Sequence, residues 1–209
     1  MEMTKLSANS KRAFAVTYDY RCPFARNACE HVSAALRAGA PWDVEFLPFS
    51  LNQVHVQEGM PDVWEDPERA PDLLAMQVGL AVRERHPERL LDVHDAMFAA
   101  RHDRGLDLRE EEVVRKLLAE LEIDPEAVLA EVAAGGPLET FRVAHDEAVE
   151  RHRVFGVPTF IVADQAAFIR VMHRPNGDPQ EAERTISRLL DLVEGWPALN
   201  ELKHTRIPR

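Results

Sequence analysis

Apolar and polar positions along the chain switch between strand-like and helix-like spacing. Ala13 to Tyr18 is a short run of β-formers and aromatics closed by Asp19, which predicts a strand. From Pro23 to Arg37 apolar residues recur at Ala25, Ala28, Cys29, Val32, Ala35 and Leu36, a helical stripe ended by Gly39 and Pro41. Val44 to Phe49 predicts a second strand, with Pro48 marking an edge or an end. This β-α-β opening implies parallel strands paired across a helix.

The spacing then turns helical. Pro67 to His86 carries a broad apolar face with Leu73, Leu74, Met76, Gln77, Leu80, Ala81 and Val82. Pro87 to Ala100 predicts a second helix through Leu90, Leu91, Val93, His94, Met97 and Phe98, and Arg109 to Leu121 a third. A fourth, Asp124 to Ala133, starts on Asp-Pro-Glu. Gly135-Gly136-Pro137 breaks the run before a long charged helix, Leu138 to Val154. Strand spacing returns at Thr159 to Ala163 and again at Ala167 to Met172, which suggests a hairpin around Asp164-Gln165. A last helix is expected from Pro179 to Val193, before Gly195-Trp196-Pro197 and a basic tail.

Strands at both ends of the chain require a shared sheet, because neither pair alone makes a stable core. The expected fold class is therefore α/β, with an all-helical insertion. Residues 12–50 and 138–195 would form the sheet-containing domain, 51–137 the insertion and 196–209 a tail. There is no internal repeat and no low-complexity tract.

Composition narrows the function classes. Of 209 residues, 45% are apolar, enough for a packed interior. A formal charge of -11 without a Lys/Arg-rich face argues against nucleic acid as partner. No segment approaches the roughly 18 apolar residues needed to cross a bilayer, which argues against a membrane. The start, MEMTKLSANSKR, lacks the apolar region of a secretory signal and reads as a frayed leader. Two cysteines cannot staple a chain of this size, so a cytoplasmic, reducing setting is expected.

Histidine pairs His145/His152 and His94/His102 lack metal-ligand spacing and read as helix-surface residues. No metal site is expected. Nucleotide-binding glycine motifs and Gly-x-Ser-x-Gly are missing too.

Cys22 is the chemical candidate. It directly precedes Pro23, a favoured first-turn residue, so its sulfur would face the unpaired N–H groups and positive dipole end of the first helix. Both favour the thiolate, and an alkylation midpoint below about 8.5 is expected. Arg21 could add positive potential, whereas Asp19 would oppose ionisation if close, or else anchor the loop. Cys29 lies in the apolar stripe and reads as packing. Seven helical residues rise about 10.5 Å, beyond the roughly 7 Å limit for disulfide Cα atoms. Cys29 therefore cannot resolve Cys22 within an intact helix.

Cys-Pro-Phe at the first helix start, followed far along by Gly156-Val157-Pro158-Thr159-Phe160, resembles the thioredoxin superfamily, and the inserted helices resemble its DsbA branch. Asp19-Tyr20-Arg21-Cys22-Pro23-Phe24-Ala25 and Glu201-Leu202-Lys203-His204-Thr205-Arg206 are similar to segments of the FrnE-like, actinobacterial mycothiol-linked oxidoreductases. The resemblance implies a thioredoxin-like fold, a catalytic Cys22 and a cis-proline loop at Val157-Pro158. It implies a thiol-binding surface of Pro23, Phe24, Val157, Pro158 and Thr159, with Asp19 and Arg21 as tuning residues. The family's second cysteine falls at Ala25.

A single thiol could form mixed disulfides with mycothiol, glutathione or a protein thiol, resolved by an external thiol, or pass through sulfenic acid. These thiols would be co-substrates, with no tightly bound cofactor. Two alternatives stay open. One is a catalytically silent binding protein. The other is a thiol-cofactor transferase or isomerase, as the kappa-class glutathione transferases and chromene-carboxylate isomerases suggest. Lys203, His204, Arg206 and Arg209 could meet an anionic ligand or a neighbouring subunit, and the chain could act as monomer or homodimer.

Overall fold

The computed structural model describes residues 11–206. The leader and Arg209 of the basic tail lie outside the described residues, apart from Lys11 and Arg12. Four strands form one sheet in the order β2-β1-β3-β4. β1 (Arg12–Tyr18) and β2 (Trp42–Pro48) are parallel, in register from Arg12 opposite Trp42 to Tyr18 opposite Pro48. Between them α1 (Pro23–Arg37) crosses over the sheet, as the parallel pairing requires. β3 (Thr159–Val162) runs antiparallel to β1, with Val16 opposite Phe160. β4 (Gln165–Phe168) closes the sheet as an antiparallel edge.

The helices between β2 and β3 are α2 (Leu51–Val54), α3 (Ala70–Arg85), α4 (Leu90–His102), α5 (Glu111–Glu120), α6 (Pro125–Ala133) and α7 (Gly136–His152). α3 packs against α4, α5, α6 and α7, while α7 also reaches β2. α8 (Pro179–Gly195) lies against α1 and β3. One continuous apolar cluster runs from the sheet into the helical block.

Several expected boundaries move. β2 begins at Trp42, where its register with Arg12 starts, and stops at Pro48 on the sheet edge. The stretch expected as one helix from Pro67 has a 3-10 turn at Pro67–Arg69 before α3, and Pro87–Arg89 likewise precedes α4. Each proline suits a first turn and cannot sit deeper in a helix. Gly136 and Pro137 open α7 and do not stand outside it; the break is at Gly135, with φ of 86°. The hairpin turn is Ala163-Asp164, because Val162 pairs with Gln165, and Ala163 takes the positive φ of 50° that such a turn demands. Pairing ends at Phe168, so Ile169 to Met172 are not strand. Short α2 has no apolar periodicity to betray it; Ser50 caps it by accepting from the Gln53 N–H at 3.2 Å.

Two histidines expected on helix surfaces are core. His94 is fully buried among Tyr18, Tyr20, Phe46 and Phe98, and His145 packs on Phe49 and Trp64. Sequence spacing already set His94 within the apolar face of α4, and that periodicity outweighs its polar identity. The Ser50 N–H donates to His145 Nδ1 at 3.2 Å, and His94 Nδ1 lies 3.0 Å from Tyr20 Oη. Burial pushes His94 down to about 3 and His145 down to about 4, so both are neutral near pH 7.

Candidate active site

Cys22 is the N-cap of α1. Its backbone is extended, its carbonyl accepts the Arg26 N–H at 3.0 Å, and its Sγ accepts the Ala25 N–H at 3.4 Å. A sulfur thus fills a place usually taken by a hydroxyl or carboxylate oxygen. The same Sγ donates to the Val157 carbonyl at 3.4 Å. The Val157–Pro158 peptide bond is cis. Two segments 135 residues apart in sequence are therefore joined at one sulfur.

The loop before Cys22 is held on three sides. Asp19 is buried, and its Oδ1 accepts from the Arg21 backbone N–H at 2.9 Å and from Arg21 Nε at 3.1 Å. Its Oδ2 accepts from Arg21 Nη2 at 2.7 Å and from the Leu51 N–H at 3.1 Å. The guanidinium of Arg21 is thus turned onto Asp19 and paired with it. Tyr20, buried behind the loop, uses its backbone carbonyl to accept from His102 Nε2 at 2.9 Å. Gly79 of α3 makes room for it, since a Cβ there would stand 2.7 Å from Tyr20 Oη.

On the other side, Thr159 Oγ1 donates to the Gly156 carbonyl at 2.8 Å, and the Thr159 N–H donates to Thr17 Oγ1 at 2.8 Å. Both bonds brace the cis-proline loop from within. Val157, Pro158 and Thr159 are all buried, Pro23 is exposed and Phe24 half-buried. After β4, the Ile169 N–H donates to the Pro158 carbonyl at 3.1 Å. The chain then runs along α1. Asn27 donates to the Val171 carbonyl at 2.9 Å, His31 Nε2 to the His173 carbonyl at 3.1 Å, and Arg174 to Glu30 at 2.6 and 2.7 Å. This strap carries Arg170 over the Phe24 ring, 5.3 Å from its centroid.

Burial is the larger influence on Cys22 and pushes its thiol above the ordinary value. The Ala25 and Phe24 N–H groups pull the other way, Asp19 adds to the rise, and Arg170 lowers it. This corrects the expectation of a readily ionised thiol. The helix N-terminus acts as foreseen, but the thiol of a residue only 8% exposed loses more hydration than two amides return. Cys29 is fully buried, its thiol pushed well up by desolvation, and Ala25 is fully buried too. The chain's other cysteine is thus packed into the core seven residues further along α1, and both thiols are free.

Sequence reasoning missed Tyr20, His102, Gly79, Thr17 and Arg170. A glycine inside the apolar run of α3 was the one available signal, because glycine mid-helix costs about 1 kcal/mol relative to alanine and calls for a packing reason. Two concavities, one bounded by Arg69, Asp72 and Arg109 and one by Phe14, Phe46 and Leu90, do not include Cys22. Among the described residues no cluster of His, Cys, Asp or Glu could hold a metal, and no helix is long and apolar enough to cross a membrane.

A β-α-β unit, a helical insertion and a returning hairpin, with a helix-capping cysteine set against a cis-proline loop, define a thioredoxin-like protein of the inserted-helix type. Residues 15–176 match the DSBA-like thioredoxin domain, and the chain belongs to that family. No curated protein sequence matches. Among solved structures the chain is similar to DsbA from Pseudomonas aeruginosa, at 21% identity and a TM-score of 0.56 over 93% of this chain and 90% of that one. It is similar to the cytosolic disulfide reductase DsbM from Pseudomonas aeruginosa, solved with GSH, at 16% identity and 0.59 over 86% and 100%. A putative protein disulfide isomerase from Nitrosomonas europaea gives 13% and 0.60 over 89% and 99%. Each likeness is one of fold.

Proposed function

We propose that the protein is a thiol-dependent oxidoreductase in which Cys22 alone carries the chemistry. The observation that supports this reading is the placing of Cys22 Sγ between the Ala25 N–H and the Val157 carbonyl; by the family resemblance, Ala25 falls where a second cysteine would stand. Val157 O holds the proton of the resting thiol. Once that proton leaves to solvent, the Ala25 and Phe24 N–H groups face the thiolate. The thiolate attacks a disulfide R–S–S–R, the Cys22–S–S–R bond forms as the old S–S bond breaks, and RS⁻ leaves. A second thiolate R′S⁻ then attacks the bound sulfur, giving R–S–S–R′ and restoring Cys22.

Phe24, Pro23 and the cis-proline loop would form the surface against which R lies, with Asp19 and Arg21 fixing the loop. The co-substrate would be a low-molecular-weight thiol of the glutathione or mycothiol kind, or a protein thiol. A cytoplasmic setting fits this chemistry, and DsbM, a cytosolic disulfide reductase solved with GSH, offers a parallel.

The raised position of Cys22 favours a second reading. A thiol that stays protonated can donate to a bound thiol cofactor without forming a disulfide, as a transferase or isomerase would need. Intact mass of wild type and Cys22→Ser after exposure to the disulfides of glutathione and mycothiol separates the two. The oxidoreductase reading expects one adduct per chain, lost in Cys22→Ser and removed by excess thiol. Absence of any adduct, with thiol-dependent turnover of an electrophile, replaces it by the second. Neither adduct nor turnover leaves a binding protein.

A further inference from the structure

The cations around Cys22 are not equivalent. Arg21 is paired with Asp19, Arg26 with Asp103 and Arg174 with Glu30. Arg170 is exposed, and among the described residues it pairs with no carboxylate. It is nonetheless held: the strap is pinned to α1 through Asn27, His31 and Glu30, and the guanidinium rests over Phe24, two residues from Cys22. A cation over an aromatic face keeps its charge while its long side chain gives up much of its freedom. The first turn of α1 has no acidic residue. In a chain of net charge -11, a helix N-terminus and a preoriented guanidinium thus bring positive potential to the rim at Cys22, opposed by the Arg21-paired carboxylate of Asp19.

We propose that Arg170 is a specificity-determining residue that selects thiols and disulfides bearing a carboxylate near the sulfur, of the glutathione kind, over neutral sugar thiols of the mycothiol kind. This rests on the reading of the Cys22 rim as a thiol-binding surface. A planar guanidinium meets a carboxylate through two parallel N–H bonds. A ligand whose sulfur lies at Cys22 and whose carboxylate reaches past Phe24 would meet the open charge of Arg170. A neutral polyol offers that guanidinium no counter-charge.

S-methylglutathione, whose sulfur cannot enter a disulfide, and its dimethyl ester, which lacks free carboxylates, are titrated by calorimetry into full-length wild type, Arg170→Gln and Arg170→Lys at low ionic strength. Wild type is expected to bind the acid about three- to fivefold more tightly than the ester, the range of an exposed charge pair. Arg170→Gln brings that ratio close to one, and Arg170→Lys, which keeps the charge, retains most of it. A ratio unchanged in Arg170→Gln overturns the proposal, as does a wild type that binds both probes equally or neither. The covalent role of Cys22 is scored apart, by intact mass after exposure to bis(2-hydroxyethyl) disulfide, which is neutral. An adduct at Cys22 without an acid-over-ester preference removes Arg170 and leaves the oxidoreductase reading standing. A preference without an adduct does the reverse.

Discussion

Two faces of one helix treat the same element differently. Cys22, at the N-terminus of α1, meets an amide, a carbonyl and the cis-proline loop. Cys29 sits two turns along on the face turned inward, fully buried with Ala25, Ala28 and Val32. Beneath the strap that carries Arg170, Asn27, Glu30 and His31 bind it. Both thiols are pushed above their ordinary value by desolvation, yet opposing amides act only on Cys22. A thiol becomes a candidate nucleophile through the groups that would meet its anion, and helix membership alone supplies none.

The largest expected effect breaks the comparison by adding a sulfur. Residues 22 and 25 are neighbours one helical turn apart, so Ala25→Cys should acquire an internal disulfide with Cys22 on oxidation. Intact mass would show the loss of two hydrogens, and the external adduct at Cys22 would disappear. A persistent external adduct in this variant would mean that the two side chains do not meet.

Acid should sharpen the contrast between the polar rim and the buried interior. His94 and His145 bind protons near 6.5 when unfolded but only near 3 and 4 when folded. The unfolded chain binds more protons between these values, so their contribution is complete above about pH 6.5 and drains away as pH falls toward 4. For His145 alone the loss at the acid limit is on the order of 3 kcal/mol. Urea midpoints at pH 7 and pH 4.5 check this; equal midpoints would mean that the imidazoles protonate in place.

Cys29→Ser tests the inward face. It leaves a hydroxyl without a partner in an apolar site and should cost about 1–3 kcal/mol in denaturant unfolding, with the Cys22 adduct retained. Gly79→Ala is expected to cost somewhat less, about 1–2 kcal/mol, since overpacking is partly offset by helix propensity. Because its Cβ would press on Tyr20, it should also change the alkylation rate of Cys22, whereas Cys29→Ser should not.

Alkylation of Cys22 against pH gives the smallest shift. Its midpoint should lie above the ordinary cysteine value in wild type and move slightly higher in Arg170→Gln, in line with the lowering influence of Arg170. A midpoint below the ordinary value would show that the amides of α1 outweigh burial.

Much of the architecture was legible because it is local. The period of the α1 stripe, the prolines at helix starts and the β-branched runs of β1 and β3 report on neighbours a few residues away. Boundaries slipped where pairing decides them, as at Gln165, whose place in β4 follows from its register with Val162. His94 was misplaced by its identity though its spacing in α4 was correct. At the site, Cys22 and the Val157-Pro158 loop stood out as motifs, whereas Tyr20 and Arg170 did not.

By itself the sequence determined the order of the strands and long helices, the helix-capping position of Cys22 and the lack of a second thiol within its reach. Only the tertiary structure decided how strongly Cys22 holds its proton, which histidines lose their charge and which arginine is left open at the rim. Each of those depends on burial and on charges brought together from distant parts of the chain. Local spacing encodes which face of a helix is apolar, and it does not encode what packs against that face.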